Sequence, residues 1–291
     1  MLRFVIPKGS LEQPTLRLLE AADLPVIRGS EREYHGSVDD PRISRVSLLR
    51  PQEIPGYVEE GFFDLGITGR DWIEETGAEV VKLAELPYSK RSEMPVRIVL
   101  AVAGSMSAET AAEVPPGARI STEYPNLTRR FFEGLGIPVK VFLSFGATEA
   151  KVPEIVDAVV DVTETGSTLR RQGMKILETL LTSTPELIAN AGAFADPAKR
   201  AAMEEVRTLL LGAIDARGKV LVKLNVANGD LERVLAVLPA MTSPTISALA
   251  QGGYHAVETV VAKASINTLI PALKSAGARD ILEIAINKIV A

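Results

Sequence analysis

Short apolar runs alternate with amphipathic helical patterns through the first two hundred residues of this chain. The apolar runs are LRFVIP, DLGIT, VRIVLAV, ARIST, VKVFLS and DAVVDVT. Between them, LEQPTLRLLEAA, QEIPGYVEEG and LTRRFFEGLG place apolar residues at helical spacing. This alternation predicts parallel α/β sheets whose ligands bind at the carboxyl ends of the strands.

The order of elements changes after about residue 212. KVLVKLNVA, NGDLERVLAVLP, TISALA, HAVETVVA, SINTLIPALKSAG and RDILEIAI follow one another as strand, helix, strand, strand, helix and strand. This is the ferredoxin-like βαββαβ arrangement. We therefore predict a separate C-terminal domain over residues 216–291, with its junction between Gly212 and Gly218.

The N-terminal part has too many strands for one small sheet. The run VRIVLAV begins after Pro95 and could open a second lobe. The long helical pattern of residues 196–214 begins with Asp196 and Pro197 and is expected to return to the first lobe. We predict one lobe from residues 1–94 with 181–214 and another from residues 95–180, with the ligand in the cleft between them.

Composition excludes several kinds of protein. A chain of 291 residues can bury a core without disulfides, and the absence of cysteine removes thiolate metal sites and thiol nucleophiles. The net charge of −5 argues against a broad nucleic-acid surface. The start MLRFVIPKGS lacks signal-peptide features, and no apolar segment reaches the ~20 residues that span a bilayer. A soluble cytoplasmic protein is expected.

The stretch DAVVDVTETGSTL, residues 157–169, predicts a phosphate-binding loop. A strand passes into a turn rich in hydroxyls, where Gly166 permits a positive φ angle or close approach of a ligand. The backbone N–H groups would point into one concavity at the start of a helix. The donors predicted to hold a phosphate monoester are Thr165, Gly166, Ser167, Thr168 and Leu169. The same residues would also suit an ordinary strand-to-helix turn, so the motif alone leaves both interpretations open.

Two acids in this stretch, Asp161 and Glu164, would repel a bare phosphate. They suit a ligand that also carries vicinal hydroxyls or a bound Mg²⁺ ion, both of which carboxylates can bind. A phosphate beside a diol describes a ribose 5-phosphate. The sequence therefore favours a ribose phosphate ligand, with Asp161 and Glu164 near its hydroxyls or a metal ion.

Cationic residues follow three predicted strands of the first lobe. They lie in the segments Lys8-Gly9, Arg50 before Pro51, and Gly69-Arg70-Asp71. Each segment alone would suit a solvated loop, whereas together they would bind a polyphosphate. A fourth segment, STEYPNLTRRFFEGLG, adds Glu123, Arg129 and Arg130. The only histidines, His35 and His255, fall in a polar loop and in the C-terminal domain, which gives a serine–histidine triad little support.

Together these segments resemble the long form of ATP phosphoribosyltransferase, the first enzyme of histidine biosynthesis. The resemblance covers nearly the whole chain. It rests on the segments IPKGSL, LRPQEIPGYVEEGFFDLGITGRDW, STEYPNLTRRFF, SFGATEAKVPEIVDAVVDVTETGSTLRRQGM and LPAMTSPTISAL. It implies a catalytic body similar to type II periplasmic binding proteins, followed by a ferredoxin-like regulatory domain.

The resemblance also implies a reaction and its site. The family joins N1 of the ATP adenine to C1 of phosphoribosyl pyrophosphate (PRPP), releases pyrophosphate and requires Mg²⁺. Residues 161 and 164–169 would bind PRPP, and the cationic segments would bind ATP and polyphosphate. The catalytic candidates are Asp161, Asp157, Glu149 and Lys8, and the candidate metal ligands are Asp161 and Glu164.

The C-terminal domain would bind histidine as a feedback inhibitor. The residues that resemble the family's histidine site are Asn225, Met241, Thr242, Ser243, Thr245 and, more weakly, Ala278. The family's long form is a homo-hexamer built from dimers, and we expect the same assembly here.

Three alternatives are compatible with parts of this pattern. A small-molecule binding protein would share the two lobes, although it would not need the acids of the phosphate loop. A type I phosphoribosyltransferase acting on a nucleobase would share the loop but has no ferredoxin-like domain. A regulatory subunit is the third alternative, and the complete loop argues against it.

Overall fold

The computed structural model describes residues 1–88, 95–239, 243–250 and 252–290. Two compact units divide the chain, Met1–Arg207 and Thr208–Ala291. No helix within these described ranges is long and apolar enough to cross a membrane.

The first unit begins with a sheet that we call lobe I. The elements before the gap at 89–94 are β1 (Leu2–Pro7), α1 (Glu12–Ala21), β2 (His35–Gly36), β3 (Ile43–Leu49), α2 (Ile54–Glu59), β4 (Leu65–Gly69), α3 (Arg70–Thr76) and β5 (Val81–Glu85). Strand β1 pairs in parallel with both β3 and β4, so the carboxyl ends of these three strands lie at one edge. The side chains of Phe4, Ile6 and Leu65 are fully buried, as the apolar runs predict.

A second sheet forms lobe II of the same unit. Its elements are β6 (Val96–Ala103), β7 (Arg119–Thr122), α4 (Pro125–Leu135), β8 (Lys140–Leu143), β9 (Ala158–Thr163), α5 (Ser167–Arg171) and β10 (Met174–Ser183). The strand order is β10-β6-β9-β7-β8. Strand β7 is parallel to β8 and β9, whereas β6 is antiparallel to β9 and β10.

The chain returns to lobe I directly after β10. The returning elements are β11 (Pro185–Ala189), α6 (Ala191–Ala195) and α7 (Pro197–Asp215). Strand β11 inserts between β4 and β5. In α7, Lys199 reaches Asp64 of lobe I with a nitrogen-to-oxygen distance of 2.8 Å. Because β10 runs to Ser183, the crossover lies at Thr184, a few residues later than the predicted boundary of 180/181.

The second unit contains β12 (Lys219–Ala227), α8 (Leu231–Val237), β13 (Thr245–Ala248), β14 (Tyr254–Ala262), α9 (Ile266–Ser275) and β15 (Arg279–Ala285). The sheet order β13-β14-β12-β15, with every pair antiparallel, is that of a ferredoxin-like domain. The predicted βαββαβ order is therefore correct. The boundary between the compact units lies inside α7, earlier than the predicted junction at 212–218.

Candidate active site

A cleft of about 1050 Å³ is lined by residues of both lobes. Lobe I contributes the segments that follow β1, β3 and β4. Lobe II contributes the ends of β7, β9 and β10 and the start of β6. Ligands of open α/β sheets bind beyond the carboxyl ends of strands, and most of these lining segments stand at such ends. The cleft is therefore the candidate active site.

The phosphate loop of residues 163–169 forms part of the lobe II wall. Gly166 has φ +73°, which a side chain rarely tolerates, and a Cβ there would meet Ile176 Cδ1 and Arg170 Nη1 at 3.0 Å each. The Gly166 N–H donates to Thr163 Oγ1 at 2.8 Å, which holds the turn closed. The side chains of Thr165, Ser167 and Thr168 line the cleft. The loop thus offers hydroxyl donors on a backbone that its glycine shapes.

Acidic side chains stand beside this loop on the same wall. Burial raises the pKa of Asp161, while hydrogen bonds from the Thr148 hydroxyl and the Val162 N–H act in the opposite direction. Burial, with the nearby charge of Asp161, also raises the pKa of Glu123. Glu149 and Glu164 line the cleft as well. A cationic ligand or metal ion bound here would favour the ionised carboxylates.

The cations of the opposite wall come from lobe I. Lys8 and Arg50 line the cleft, and the Lys8 ammonium lies 3.9 Å from the centre of the Tyr34 ring. Gly9 has φ +94°, so the chain can turn sharply after β1. Arg70, which was also predicted to bind polyphosphate, is not among the residues that line the cleft. Its guanidinium lies 3.8 Å from the Glu74 carboxylate, one turn further along α3.

Asp71 forms the floor of the cleft together with residues of lobe II. Its carboxylate accepts hydrogen bonds from the Tyr124 hydroxyl at 2.8 Å and the Ser183 hydroxyl at 2.7 Å. Burial raises the pKa of Asp71, and the Trp72 ring stacks on Tyr124 at 4.6 Å. A Cβ at Gly69 would approach Asp71 Oδ1 to 2.1 Å. Asp71, predicted to bind ATP, therefore lines the cleft with its carboxylate engaged by the protein.

Asp157 does not belong to the cleft, although the sequence analysis named it as a catalytic candidate. It precedes β9, at the end opposite to the loop. There it accepts hydrogen bonds from the Arg119 backbone N–H and guanidinium, each at 2.8 Å. This pairing lowers the pKa of Asp157. Asp157 therefore joins the start of β9 to β7, and it does not line the cleft.

Sequence reasoning missed several residues of the site, and Arg97, Tyr124 and Thr148 are among them. Arg97 and Tyr124 line the cleft, and Thr148 holds Asp161. Arg97 lies inside an apolar strand pattern, and the sheet register that brings it beside the loop is not visible in the local sequence. A polar residue within the run VRIVLAV was the one available signal.

The predicted histidine-binding residues occupy different parts of the C-terminal domain. The Asn225 side chain donates to Asp280 at 2.9 Å, whereas Ala278 is buried in the core below the helices. Ser243 and Thr245 are exposed at the start of β13, which β14 separates from β12. Met241 and Thr242 lie outside the described residues.

The fold defines an α/β unit of two lobes and a C-terminal ferredoxin-like domain. A solved chain of the ATP phosphoribosyl transferase (HisG:HisZ) complex from Thermotoga maritima shares the fold. The two are 24% identical with a TM-score of 0.61, over 72% of this chain and 99% of that one.

Sequence comparison identifies the family. The family model for ATP phosphoribosyltransferase matches residues 50–212, and the model for the HisG C-terminal domain matches residues 216–288. The chain therefore belongs to the ATP phosphoribosyltransferase family, whose members are glycosyltransferases of histidine biosynthesis.

Curated relatives agree over the full length of the chain. An ATP phosphoribosyltransferase of Desulforudis audaxviator is 45% identical over 99% of both chains. Another, of Nitratidesulfovibrio vulgaris, is 46% identical over 100% of this chain and 98% of its own. The resemblance noted in the sequence is confirmed. The binding-protein, nucleobase-transferase and regulatory-subunit alternatives are set aside.

Proposed function

We propose that this chain joins N1 of the ATP adenine to C1 of PRPP and releases pyrophosphate, as the first step of histidine biosynthesis. The observation that carries the proposal is the arrangement of one cleft. A hydroxyl-rich phosphate loop and Asp161 line one wall, while Lys8 and Arg50 line the other. The family match adds the identity of the two substrates. We also propose a cytoplasmic location, because ATP and PRPP are available in that compartment.

Each wall has a distinct task in this proposal. The loop of residues 163–169 binds the 5-phosphate, and Asp161 accepts hydrogen bonds from the ribose hydroxyls. Lys8 and Arg50 bind the polyphosphate groups, where positive charge stabilises an anionic leaving group. We keep Gly9 and Gly69 as close-approach positions beside these groups. Glu164 stays a candidate ligand of the diol or the metal.

The bond changes follow from the polarity of PRPP. The N1 lone pair forms the bond to C1 as the C1–O bond breaks, and the bonding electrons leave with pyrophosphate. Positive charge develops at C1 during this step, so the negative Asp161 and the cations at the leaving group stabilise the transition state together. Because one cleft holds both substrates, it aligns N1 with C1, and this alignment supplies the rest of the rate enhancement. Glu149 stands beside Thr148 and Asp161 and remains a catalytic candidate.

The residues present fit a Mg²⁺ ion that is held mainly by substrate. Within the described parts of the chain, no group of three or more acids and histidines is placed to bind a metal. Mg²⁺ is commonly bound by one or two carboxylates together with substrate phosphates, and Asp161 and Glu164 could serve as those carboxylates. When bound, the ion would neutralise charge on the leaving pyrophosphate.

Product identification tests the proposed reaction. The protein is incubated with ATP, PRPP, Mg²⁺ and a pyrophosphatase that prevents reversal, and the products are separated and weighed by mass spectrometry. We expect a product whose mass equals ATP plus one phosphoribosyl group, with two inorganic phosphates formed for each product molecule as the released pyrophosphate is hydrolysed. A reaction without PRPP is the control. Phosphate formation without this adduct, or no turnover at all, would refute the proposal.

We further propose that histidine binds the C-terminal domain and lowers activity. The support is the match of residues 216–288 to the family's C-terminal domain, together with the polar groups of Asn225, Ser243 and Thr245. Inhibition requires that histidine bind one state of the protein more tightly than another.

Titration calorimetry with histidine tests this regulation on the full chain. Replacing Asn225 by Leu and Thr245 by Val should weaken histidine binding and inhibition, while the KM values for ATP and PRPP stay within about twofold. If the parent protein binds no histidine and keeps full activity at high histidine concentration, the regulatory proposal fails. The catalytic proposal would be unaffected by that result.

A further inference from the structure

Arg97 occupies a central position on the lobe II wall of the cleft. It lies in β6, which stands between β10 and β9 in the sheet. Its side chain is half-buried and lines the cleft. Neither the loop motif nor the cationic strand ends predicted an arginine here.

The sheet register sets Arg97 directly beside the phosphate loop. It pairs with Thr163 of β9 on one side and with Thr182 of β10 on the other. Opposite residues of antiparallel strands share a face, with Cβ atoms about 4.5–5.5 Å apart. Thr163 is the residue whose hydroxyl closes the loop by accepting the Gly166 N–H. A long side chain at residue 97 therefore reaches the space that the loop encloses.

The guanidinium of Arg97 forms no hydrogen bond or ion pair with residues 1–88, 95–239, 243–250 or 252–290. Other partly buried arginines of this unit are paired, as Arg3 is with Asp64 and Arg119 with Asp157. Donors that face a cleft without a protein partner are available to a ligand.

The acids beside the loop would repel a bound phosphate, and an arginine at residue 97 would offset that repulsion. A phosphate monoester carries nearly two negative charges, yet the loop places it near Asp161 and Glu164. Arg170 is the closest cation in the sequence, but it donates to the Thr165 carbonyl at 2.8 Å, which supports the backbone of the loop. A second cation on the cleft face would offset the repulsion, and Arg97 is placed to supply it.

We propose that Arg97 is a substrate-binding residue that pairs with the 5-phosphate of the ribose held by the loop of residues 163–169. This inference rests on the proposed function, since it deepens the assignment of the PRPP site. The planar guanidinium can form two parallel hydrogen bonds to phosphate oxygens, which a lysine ammonium cannot reproduce.

Calorimetric titrations with three ligands separate the possible contacts. The ligands are PRPP with Mg²⁺, ribose 5-phosphate and inorganic pyrophosphate, and the variants are Arg97→Gln and Arg97→Lys. We expect Arg97→Gln to weaken the binding of both PRPP and ribose 5-phosphate by about tenfold or more. Arg97→Lys should weaken them less, and pyrophosphate binding should change by less than about twofold. The matched control is Arg200→Gln, because Arg200 is exposed on α7 and its guanidinium lies 4.7 Å from the centre of the Phe194 ring.

The outcomes distinguish this inference from the proposed function. If the parent protein binds neither PRPP nor ribose 5-phosphate, the proposed function fails. If the parent binds both and Arg97→Gln binds them equally well, the inference about Arg97 is wrong. The inference about Arg97 is also wrong if Arg97→Gln loses only the binding of pyrophosphate, since Arg97 would then contact the leaving group. Should Arg97→Gln not fold, Arg97→Lys decides the matter, and unchanged ribose 5-phosphate affinity in that variant contradicts the proposal.

Discussion

At the scale of single residues, the hydrogen bond from Thr148 to Asp161 links the loop of residues 144–151 to the lobe II wall of the cleft. Thr148 is only 2% exposed, and its hydroxyl donates to one carboxylate oxygen of Asp161. The Val162 N–H donates to the other oxygen at 2.7 Å. Thr148 thus fixes the direction of the carboxylate and favours its ionised form.

The first prediction concerns the pH dependence that this bond controls. Thr148→Val keeps the shape of the side chain but removes the donor that lowers the pKa of Asp161. Because that pKa is already raised by burial, it should rise further, and the acid limb of kcat/KM should move to higher pH. Thr148→Ser restores a hydroxyl and should restore the parent profile.

Thr268→Val is the matched control for this prediction. Thr268 is exposed on α9, and its hydroxyl donates to the Ser265 carbonyl at 2.9 Å. Its pH profile should overlay that of the parent. If Thr148→Val also overlays the parent, Thr148 does not set the ionisation of Asp161.

Some residues of the candidate site could be predicted from the sequence, and others could not. Lys8, Arg50 and the loop at Gly166 were found because each follows an apolar strand, where local pattern carries the signal. Arg97 and Thr148 were missed because their roles depend on partners 66 and 13 residues away. Asp157 lies outside the cleft because it pairs with Arg119, a partner 38 residues away that the local sequence does not reveal.

At the scale of elements, helix α3 of lobe I is bonded to the first turn of α4 in lobe II. The Glu75 carboxylate accepts the backbone N–H groups of Asn126 at 2.9 Å and Leu127 at 2.8 Å. These N–H groups have no partner within their own helix. Glu75 therefore acts as a cap supplied by another element, and it joins the lobes beside Asp71.

The second prediction concerns the contribution of this cap to the free energy of unfolding. Glu75→Ala should lower the free energy of unfolding by about 1–2 kcal/mol, because it leaves two N–H groups without their acceptor. Urea unfolding can be monitored by the fluorescence of Trp72, the single tryptophan of the chain. Glu74→Ala is the neighbouring control, since Glu74 forms an exposed pair with Arg70, and it should change stability by less than about 0.5 kcal/mol. Equal effects of both substitutions would argue against the cap.

The third prediction concerns the junction of β1, β4 and α7. Burial of Asp64 would raise its pKa, but hydrogen bonds from Arg3 and Lys199 outweigh burial and lower the pKa to about 2. A carboxylate with a lowered pKa stabilises the fold above its unfolded pKa of about 4 and loses that contribution as the pH falls toward 2. The contribution is about 2 kcal/mol.

Unfolding measured between pH 6 and pH 2 tests this assignment. The parent protein should lose about 2 kcal/mol more than Asp64→Asn over the acid range. Asp196→Asn, at the exposed start of α7, is a suitable control and should follow the parent curve closely. Parallel curves for the parent and Asp64→Asn would show that Asp64 is not the group responsible.

The six apolar runs predicted as strands in the two lobes correspond to β1, β4, β6, β7, β8 and β9, whereas β2, β3, β5, β10 and β11 were not among them. Strands such as β1 and β9 have continuous apolar runs bounded by turn residues. Strand β10 was not identified, because the apolar residues of MKILETLLTS fall at spacings of two, three and four that suit either a helix or a strand. Its pairing with β6 over Val96–Ala103 decides in favour of a strand.

At the scale of the whole molecule, the C-terminal domain was predicted by its βαββαβ order alone. Such a domain leaves one face of its sheet without helices. In β15 the apolar residues Leu282 and Ile284 are largely exposed. Exposed apolar positions on a sheet are commonly covered in an assembly.

The fourth prediction is that the protein assembles as a homo-hexamer built from dimers. Closed symmetric assemblies are the usual outcome for soluble enzymes, and the family's long form is expected to follow this rule. Light scattering coupled to size exclusion should give about six times the chain mass for the hexamer. A separated dimer would give about twice the chain mass. A monomer mass at every concentration, with and without histidine, would contradict the prediction.

The most direct test of the whole account compares Asp161 and Asp157, two acids near opposite ends of one strand. The measurement is the rate of phosphoribosyl-ATP formation at saturating ATP, PRPP and Mg²⁺. We predict that Asp161→Asn lowers kcat by about 100-fold or more, because its charge stabilises the developing cation. Asp157→Asn should stay within about threefold of the parent, since Asp157 is paired with Arg119 outside the cleft. A fully active Asp161→Asn protein, or equal losses in both variants, would contradict the account.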